Sequence, residues 1–82
     1  MEKIYLKQNQ GINITCSSSA IPKASYSWMK KDGIFGTNVV DHGNGVLEIK
    51  KLVETTEVFI CTATNILGKD SKEVEIVIVD GN

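Results

Sequence analysis

The feature that most constrains this chain is how its apolar residues alternate. They come in short period-2 bursts separated by turn residues, and no stretch longer than one turn follows a helical period. Alternation of that kind puts successive side chains on opposite faces of a strand. Several such bursts bounded by Gly, Asn, Asp and Ser read as an all-β sandwich or barrel. Composition agrees, since Ile, Val and Thr supply 24 of the 82 residues and Pro occurs once. β-branched residues fit a pleated, half-buried surface. A chain of this length makes one domain, residues 1–82 with a core over about 4–79, and leaves no room for a second. A core this small is marginal without a staple, and the two cysteines, Cys16 and Cys61, are the candidates for one.

Along the chain, Gln10-Gly11 leads into a strand in which Ile12, Ile14 and Cys16 share one face and Asn13 and Thr15 the other. Residues 17–23, which include Pro22, read as loop. Ala24, Tyr26 and Trp28 then point one way, with Ser25, Ser27 and Met29 opposite. Lys31-Asp32-Gly33 is a hairpin signal, because Asp-Gly accepts the positive φ of tight turns. Val39-Val40 reads as a short edge strand and His42-Gly43-Asn44-Gly45 as a turn. Leu47 and Ile49 point inward from the next strand. Residues 58–64 form another, with Phe59, Cys61 and Ala63 on one face; 65–70 turn the chain, and 73–79 are the last strand.

Charge narrows the function. Ten acidic and nine basic residues, every basic one a Lys, give a net charge of −1. That argues against a nucleic-acid binder, which carries a basic stripe and Arg forks. No run approaches the roughly 18 apolar residues of a membrane span, so this domain is not expected to insert directly. No leader peptide is legible, and the sequence reads as one module of a longer chain whose export and anchoring signals lie elsewhere. Catalysis finds no purchase either. His42 stands beside Asp41 in a Gly-rich turn, unsuited to a Ser–His–Asp arrangement. Glu48, Glu54 and Glu57 read as scattered over strand exteriors and loops. Gly33, Gly36, Gly43 and Gly45 do not spell a phosphate loop. Lys30-Lys31 and Lys50-Lys51, beside Asp32 and Glu48, read as solvated surface. A metal pair would want CxxC or several His. No enzyme, cofactor or metal is expected.

Cys16, Trp28 twelve residues on, and Cys61 a further 33 on, with Leu47-x-Ile49 between, resemble the immunoglobulin fold. Cys61-Thr-Ala63-Thr-Asn65-x-x-Gly68 is similar to the end of strand F and the F–G turn of the intermediate (I-set) or short C2 class, which is common in adhesion molecules, receptors and giant muscle proteins. The resemblance implies an antiparallel two-sheet sandwich, one sheet containing strands A, B and E and the other G, F and C. It also implies an inter-sheet Cys16–Cys61 disulfide with Trp28 against it. The family's cytosolic muscle members keep the same two cysteines reduced. Phe59 stands at the position of the family's corner tyrosine but lacks the hydroxyl. Thr55 stands where an Asp usually pairs with an Arg, so the corner is expected to rest on apolar packing of Leu52 and Phe59.

With strand directions set, Asn13-Ile14-Thr15 is an outward-facing N-glycosylation acceptor. Met29, Ile60, Thr62, Val77 and Val79 fall on the outer face of the G-F-C sheet, where a solvated sheet is ordinarily polar. They are the expected partner-binding residues, for a protein partner or for self-association. The resemblance implies a non-catalytic protein–protein recognition module of a cell-surface adhesion molecule or receptor ectodomain, extracellular or secreted, flanked by immunoglobulin or fibronectin-type domains. The alternatives are a spacer domain of an intracellular sarcomeric or cytoskeletal protein, or a binding module of a receptor kinase or phosphatase. Protein folded under oxidising conditions is expected to show no alkylatable thiol by mass spectrometry without reduction; two alkylated cysteines would count against export.

Overall fold

The computed structural model describes residues 2–16, 24–52 and 55–79, and no helix occurs among them. The strands are β1 (Glu2–Lys7), β2 (Ile12–Thr15), β3 (Ser25–Lys30), β4 (Val39–Asp41), β5 (Val46–Ile49), β6 (Thr56–Asn65) and β7 (Gly68–Val79). They form a four-stranded sheet in the order β1-β7-β6-β3 and a three-stranded sheet in the order β2-β5-β4. All pairings are antiparallel except β1 with β7. The two inner faces enclose a core in which Leu47, Ile49, Phe59 and Ile76 are fully buried, with Leu6, Ile14, Trp28, Cys61 and Val74 beside them. The alternation of the sequence is thus the inward face of each strand, since a period-2 pattern can bury only every second side chain.

The sheets share no backbone ladder, so side chains join them. Cys16, at the end of β2, is bonded to Cys61 of β6 with an S–S distance of 2.09 Å and a Cα–Cα distance of 6.4 Å. On the loop-closure model a bridge across 45 residues contributes about 4 kcal/mol. Trp28 faces Cys61 directly on the neighbouring strand, and both are buried. The Trp28 Nε1–H donates to the Gly45 carbonyl at 2.9 Å, and the Cys16 N–H donates to the same oxygen at 2.7 Å. Asp41, on β4, adds a third link: its Oδ2 accepts the Trp28 backbone N–H at 3.0 Å. That bond occupies an outward-facing donor on the edge strand β3, a group that edges otherwise leave exposed.

Several expectations change. The first strand was expected beside strands B and E, but β1 lies at the edge of the other sheet, in parallel register with β7 from Glu2–Val74 to Lys7–Val79. Asp32-Gly33 does not close a hairpin: β3 pairs with β6 and β4 with β5, so the chain leaves one sheet here and enters the other. The positive-φ glycines are Gly43, Gly45 and Gly68, and Gly33 is not among them. The last strand starts at Gly68 rather than residue 73, because Asn65 pairs with Gly68 across a two-residue turn. The 17–23 loop with Pro22 and the carboxylate of Glu54 lie outside the described residues.

Gly45 is the position where side-chain absence matters most. Its φ is +96°, and a Cβ there would lie 2.5 Å from the Cys16 carbonyl oxygen. The left-handed conformation alone costs an L residue roughly 1–2 kcal/mol, and the clash adds to it. Gly45→Ala is therefore expected to lower stability by more than about 2 kcal/mol in urea unfolding, with loss of the Trp28 near-UV signal at lower denaturant. A loss below about 0.5 kcal/mol, the range of a neutral surface change, would show that the turn re-forms without this link.

Candidate interaction surface

The outer face of β1-β7-β6-β3 follows from the inward set by alternation. On β7 the outward positions are Ser71, Glu73, Glu75, Val77 and Val79. Register places Ile60 between Glu73 and Met29, Val58 beside Glu75, and Val77 between Tyr5 and Thr56. Thr62 lies between Ser71 and Ser27, and its Oγ1 is 3.1 Å from Ser71 Oγ. Met29 and Val79 are exposed, and Ile60, Thr62 and Val77 are half-buried. All five residues expected on this face are on it.

The face carries an apolar diagonal interrupted by charge. It runs from Met29 through Ile60 and Val58 to Val77, Tyr5 and Val79, along neighbours and diagonals on adjacent strands. Lys3 Nζ–Glu75 Oε1 at 3.8 Å flanks it, and Lys31 Nζ–Glu73 Oε1 at 3.3 Å crosses it over β6, between Ile60 and Val58. Such exposed pairs contribute little stability; here they bring both signs of charge beside and across an apolar strip. Sequence reasoning missed Tyr5 and Val58. Tyr5 was hidden because β1 was assigned to the other sheet, although its alternation with the buried Leu6 was available. Val58 lies near the start of its strand, where no facing partner is legible.

Asn13 is exposed on β2, opposite Glu48, and so faces solvent as expected. His42 Nε2 lies 2.9 Å from Glu48 Oε1, a surface contact on the same sheet. Glu57 overturns its assignment to a strand exterior. It follows the inward parity of Phe59 and Cys61, is buried, and meets Lys30 at 3.3 Å. The pair walls a cavity of about 250 Å³ that Phe35, Val39 and Phe59 also line. Phe35 packs on Phe59 with ring centroids 6.1 Å apart. Polar ties therefore assist Leu52 and Phe59 at this end of the sandwich, among them the Ile78 N–H to the Thr55 carbonyl at 2.8 Å and Asn38 Nδ2 to the Lys51 carbonyl.

The comparisons with known proteins agree with this architecture. The sequence profile described as Immunoglobulin domain matches residues 2–74. Vascular cell adhesion protein 1 of Homo sapiens is 29% identical over 76 residues, covering 89% of this chain and 10% of that protein. Nectin-2 of Mus musculus is 34% identical over 77 residues, covering 90% of this chain and 14% of that protein. The chain therefore spans a small part of the relatives it matches. The crystal structure of neural ectodermal development factor IMP-L2 superposes with a TM-score of 0.81 at 21% identity, over 96% of this chain and 40% of that one. The chain belongs to the immunoglobulin-domain family, a non-enzymatic class of interaction module.

The Lys30–Glu57 pair gives a direct test of the lower end. Removing one member of a buried pair strands the other charge, at about 3–5 kcal/mol for full burial. Lys30 keeps 22% of its side chain exposed, so Lys30→Met is expected to cost less, about 2 kcal/mol. Adding Glu57→Leu should recover most of that loss, read as a positive coupling in a double-mutant cycle of denaturant midpoints. Additive losses would show that the two charges are independent.

Proposed function

We propose that this domain is a recognition module of a cell-surface adhesion molecule or receptor ectodomain, and that it binds protein through the outer face of β1-β7-β6-β3. One observation carries the reading: Met29, Ile60, Val58, Val77, Tyr5 and Val79 make an outward apolar diagonal across all four strands, with the Lys3–Glu75 pair beside it and the Lys31–Glu73 pair across it. Protein interfaces likewise combine apolar contact area with polar and charged groups. Burying the diagonal supplies affinity at roughly 25 cal/mol per Å². A standard interface takes about 800 Å² per partner, which asks for most of one sheet face.

Three features support an extracellular setting. The curated relatives named above include an adhesion protein by name. The Cys16–Cys61 bridge suits an oxidising compartment. Asn13-Ile14-Thr15 is an exposed acceptor triplet, and a sugar on it would shield β2-β5-β4 while leaving the opposite sheet open. Since the chain spans 10% and 14% of those relatives, the parent protein is expected to carry neighbouring immunoglobulin or fibronectin-type domains.

The test uses glycosylated protein from eukaryotic cells, displayed on beads and scored for bead–bead and bead–cell adhesion. Ile60→Lys combined with Val77→Lys should fold, because both side chains face outward, and should lose adhesion by at least tenfold. Absent adhesion by the natural sequence, or undiminished adhesion by a folded double variant, overturns the reading. Asn13→Gln should remove an enzyme-sensitive mobility shift and leave adhesion in place.

A further inference from the structure

In one place the chain sets Gly directly after Asn, at Asn44-Gly45 in the β4–β5 turn. Asn44 is exposed, while Gly45 is buried. The Val46 N–H donates to Asn44 Oδ1 at 3.2 Å, which folds the side-chain amide back over the Gly45 peptide as in an Asx-turn. Among the described residues no acceptor lies on the Gly45 N–H. Gly43, on the other side of Asn44, has a φ of +83°, and a Cβ there would meet nothing within 4 Å. The turn is open to water.

These groups can react with one another. The Gly45 nitrogen, giving its proton to water, attacks Asn44 Cγ and forms a C–N bond. Charge then develops on Oδ1, where the Val46 N–H already points, as a preorganised donor does at a tetrahedral intermediate. The Cγ–Nδ2 bond breaks, and that nitrogen takes a proton from water and leaves as ammonia, which closes a five-membered imide. Water adds to either imide carbonyl. Breaking the new C–N bond leaves an aspartate at position 44. Breaking the original peptide bond leaves an isoaspartate, with the main chain routed through Cβ and Cγ. Asn65 shows what Gly contributes. Its Oδ1 accepts the Leu67 N–H at 2.8 Å in the same way, but the next residue is Ile66. A β-branched side chain crowds the nitrogen that must approach Cγ, whereas Gly has no Cβ to obstruct it. Asn13 and Asn38 likewise precede Ile14 and Val39.

We propose that Asn44-Gly45 is a self-modification site, at which conversion to isoaspartate uncouples the Gly45 carbonyl from Trp28 and Cys16. The rerouted main chain is longer by one carbon, about 1.5 Å. The Gly45 carbonyl accepts the Trp28 Nε1–H at 2.9 Å and the Cys16 N–H at 2.7 Å. A displacement of that size carries both beyond hydrogen-bond range. The ordinary aspartate keeps the chain length and an oxygen for the Val46 N–H, so it leaves the link in place. The Cys16–Cys61 bridge is untouched by this chemistry, and the aged domain is therefore tethered but loosened. The inference is independent of the sheet-face reading above.

The experiment ages the natural chain, folded and non-reduced, in mildly alkaline buffer at physiological temperature. Peptide mapping with electron-transfer fragmentation distinguishes asparagine, aspartate and isoaspartate at each position. Asn44 should convert at least about tenfold faster than Asn13, Asn38 or Asn65, a barrier difference of about 1.4 kcal/mol, with isoaspartate among the products. The isoaspartate fraction, isolated by chromatography, should lose Trp28 near-UV ellipticity and unfold at lower urea. Asn44→Asp, expressed directly, should keep the signal and midpoint of the fresh chain, which separates the added charge from the added length. Asn44→Ser should keep its ellipticity through the same ageing. An unreacted Asn44, conversion of Asn65 at a matching rate, or an isoaspartate fraction with unchanged signal and midpoint would each overturn the inference. So would loss of the signal in fresh Asn44→Asp or in aged Asn44→Ser.

Discussion

Among the described residues the two sheets of this sandwich have no backbone hydrogen bonds in common, and their relative placement rests on a cluster around Trp28. Its indole donates to the Gly45 carbonyl, its backbone N–H to Asp41, and its neighbour across the ladder is the bridged Cys61. These links act at one level of the sandwich, so they set the register of one sheet over the other as well as the spacing. Alternation then propagates the choice. With Trp28 inward, Met29 is outward, and the facing residues Cys61 and Ile60 divide in the same way. The composition of the outer face is a consequence of what holds the inner one.

The Gly45 carbonyl shows how little redundancy a domain of this size has. One oxygen accepts both the Trp28 indole and the Cys16 backbone N–H, and so couples the buried aromatic to the strand that carries the disulfide. A carbonyl has two lone pairs for this purpose, and the Trp28 side chain that uses one of them is buried. A bridge tethers Cys16 covalently in any case. The second link fixes how β2 meets the β4–β5 turn, which a tether alone leaves free. Unfolded-state entropy accounts for the disulfide's contribution, whereas the Gly45 contacts act on the folded state. The two are complementary rather than duplicate.

How much of this was legible in the sequence depended on the range of the interaction. Strand existence and facing were readable because burial imposes a period of two on neighbouring residues, as Leu47, Ile49, Phe59 and Cys61 show. The Cys–Trp–Cys spacing carried the family. What escaped was pairing between distant segments. Nothing in Glu2–Lys7 states that it joins β7 in parallel, and with that went Tyr5 as a member of the outer face. Asp32-Gly33 has the residues of a tight turn, but a local signal cannot report that the next strand belongs to the other sheet. Glu57 was misplaced because residue type was weighed above parity; its own alternation with Phe59 already pointed inward, and Lys30 supplies the charge that burial requires.

The sheet face and the sandwich ends offer recognition on different physical terms. The face is broad, half-buried and interrupted by ion pairs, so its apolar atoms are shielded in the free protein and contribute only when a partner of matching outline displaces water over a large area. The β6–β7 tip at Ile66-Leu67 is narrow and exposed, so it costs little to desolvate and reaches places a flat sheet cannot. Area favours the face for affinity, because association costs several kcal/mol before any contact is felt. Two side chains cannot offset that alone. An apolar dipeptide at such a turn adds nothing to the core of its own fold.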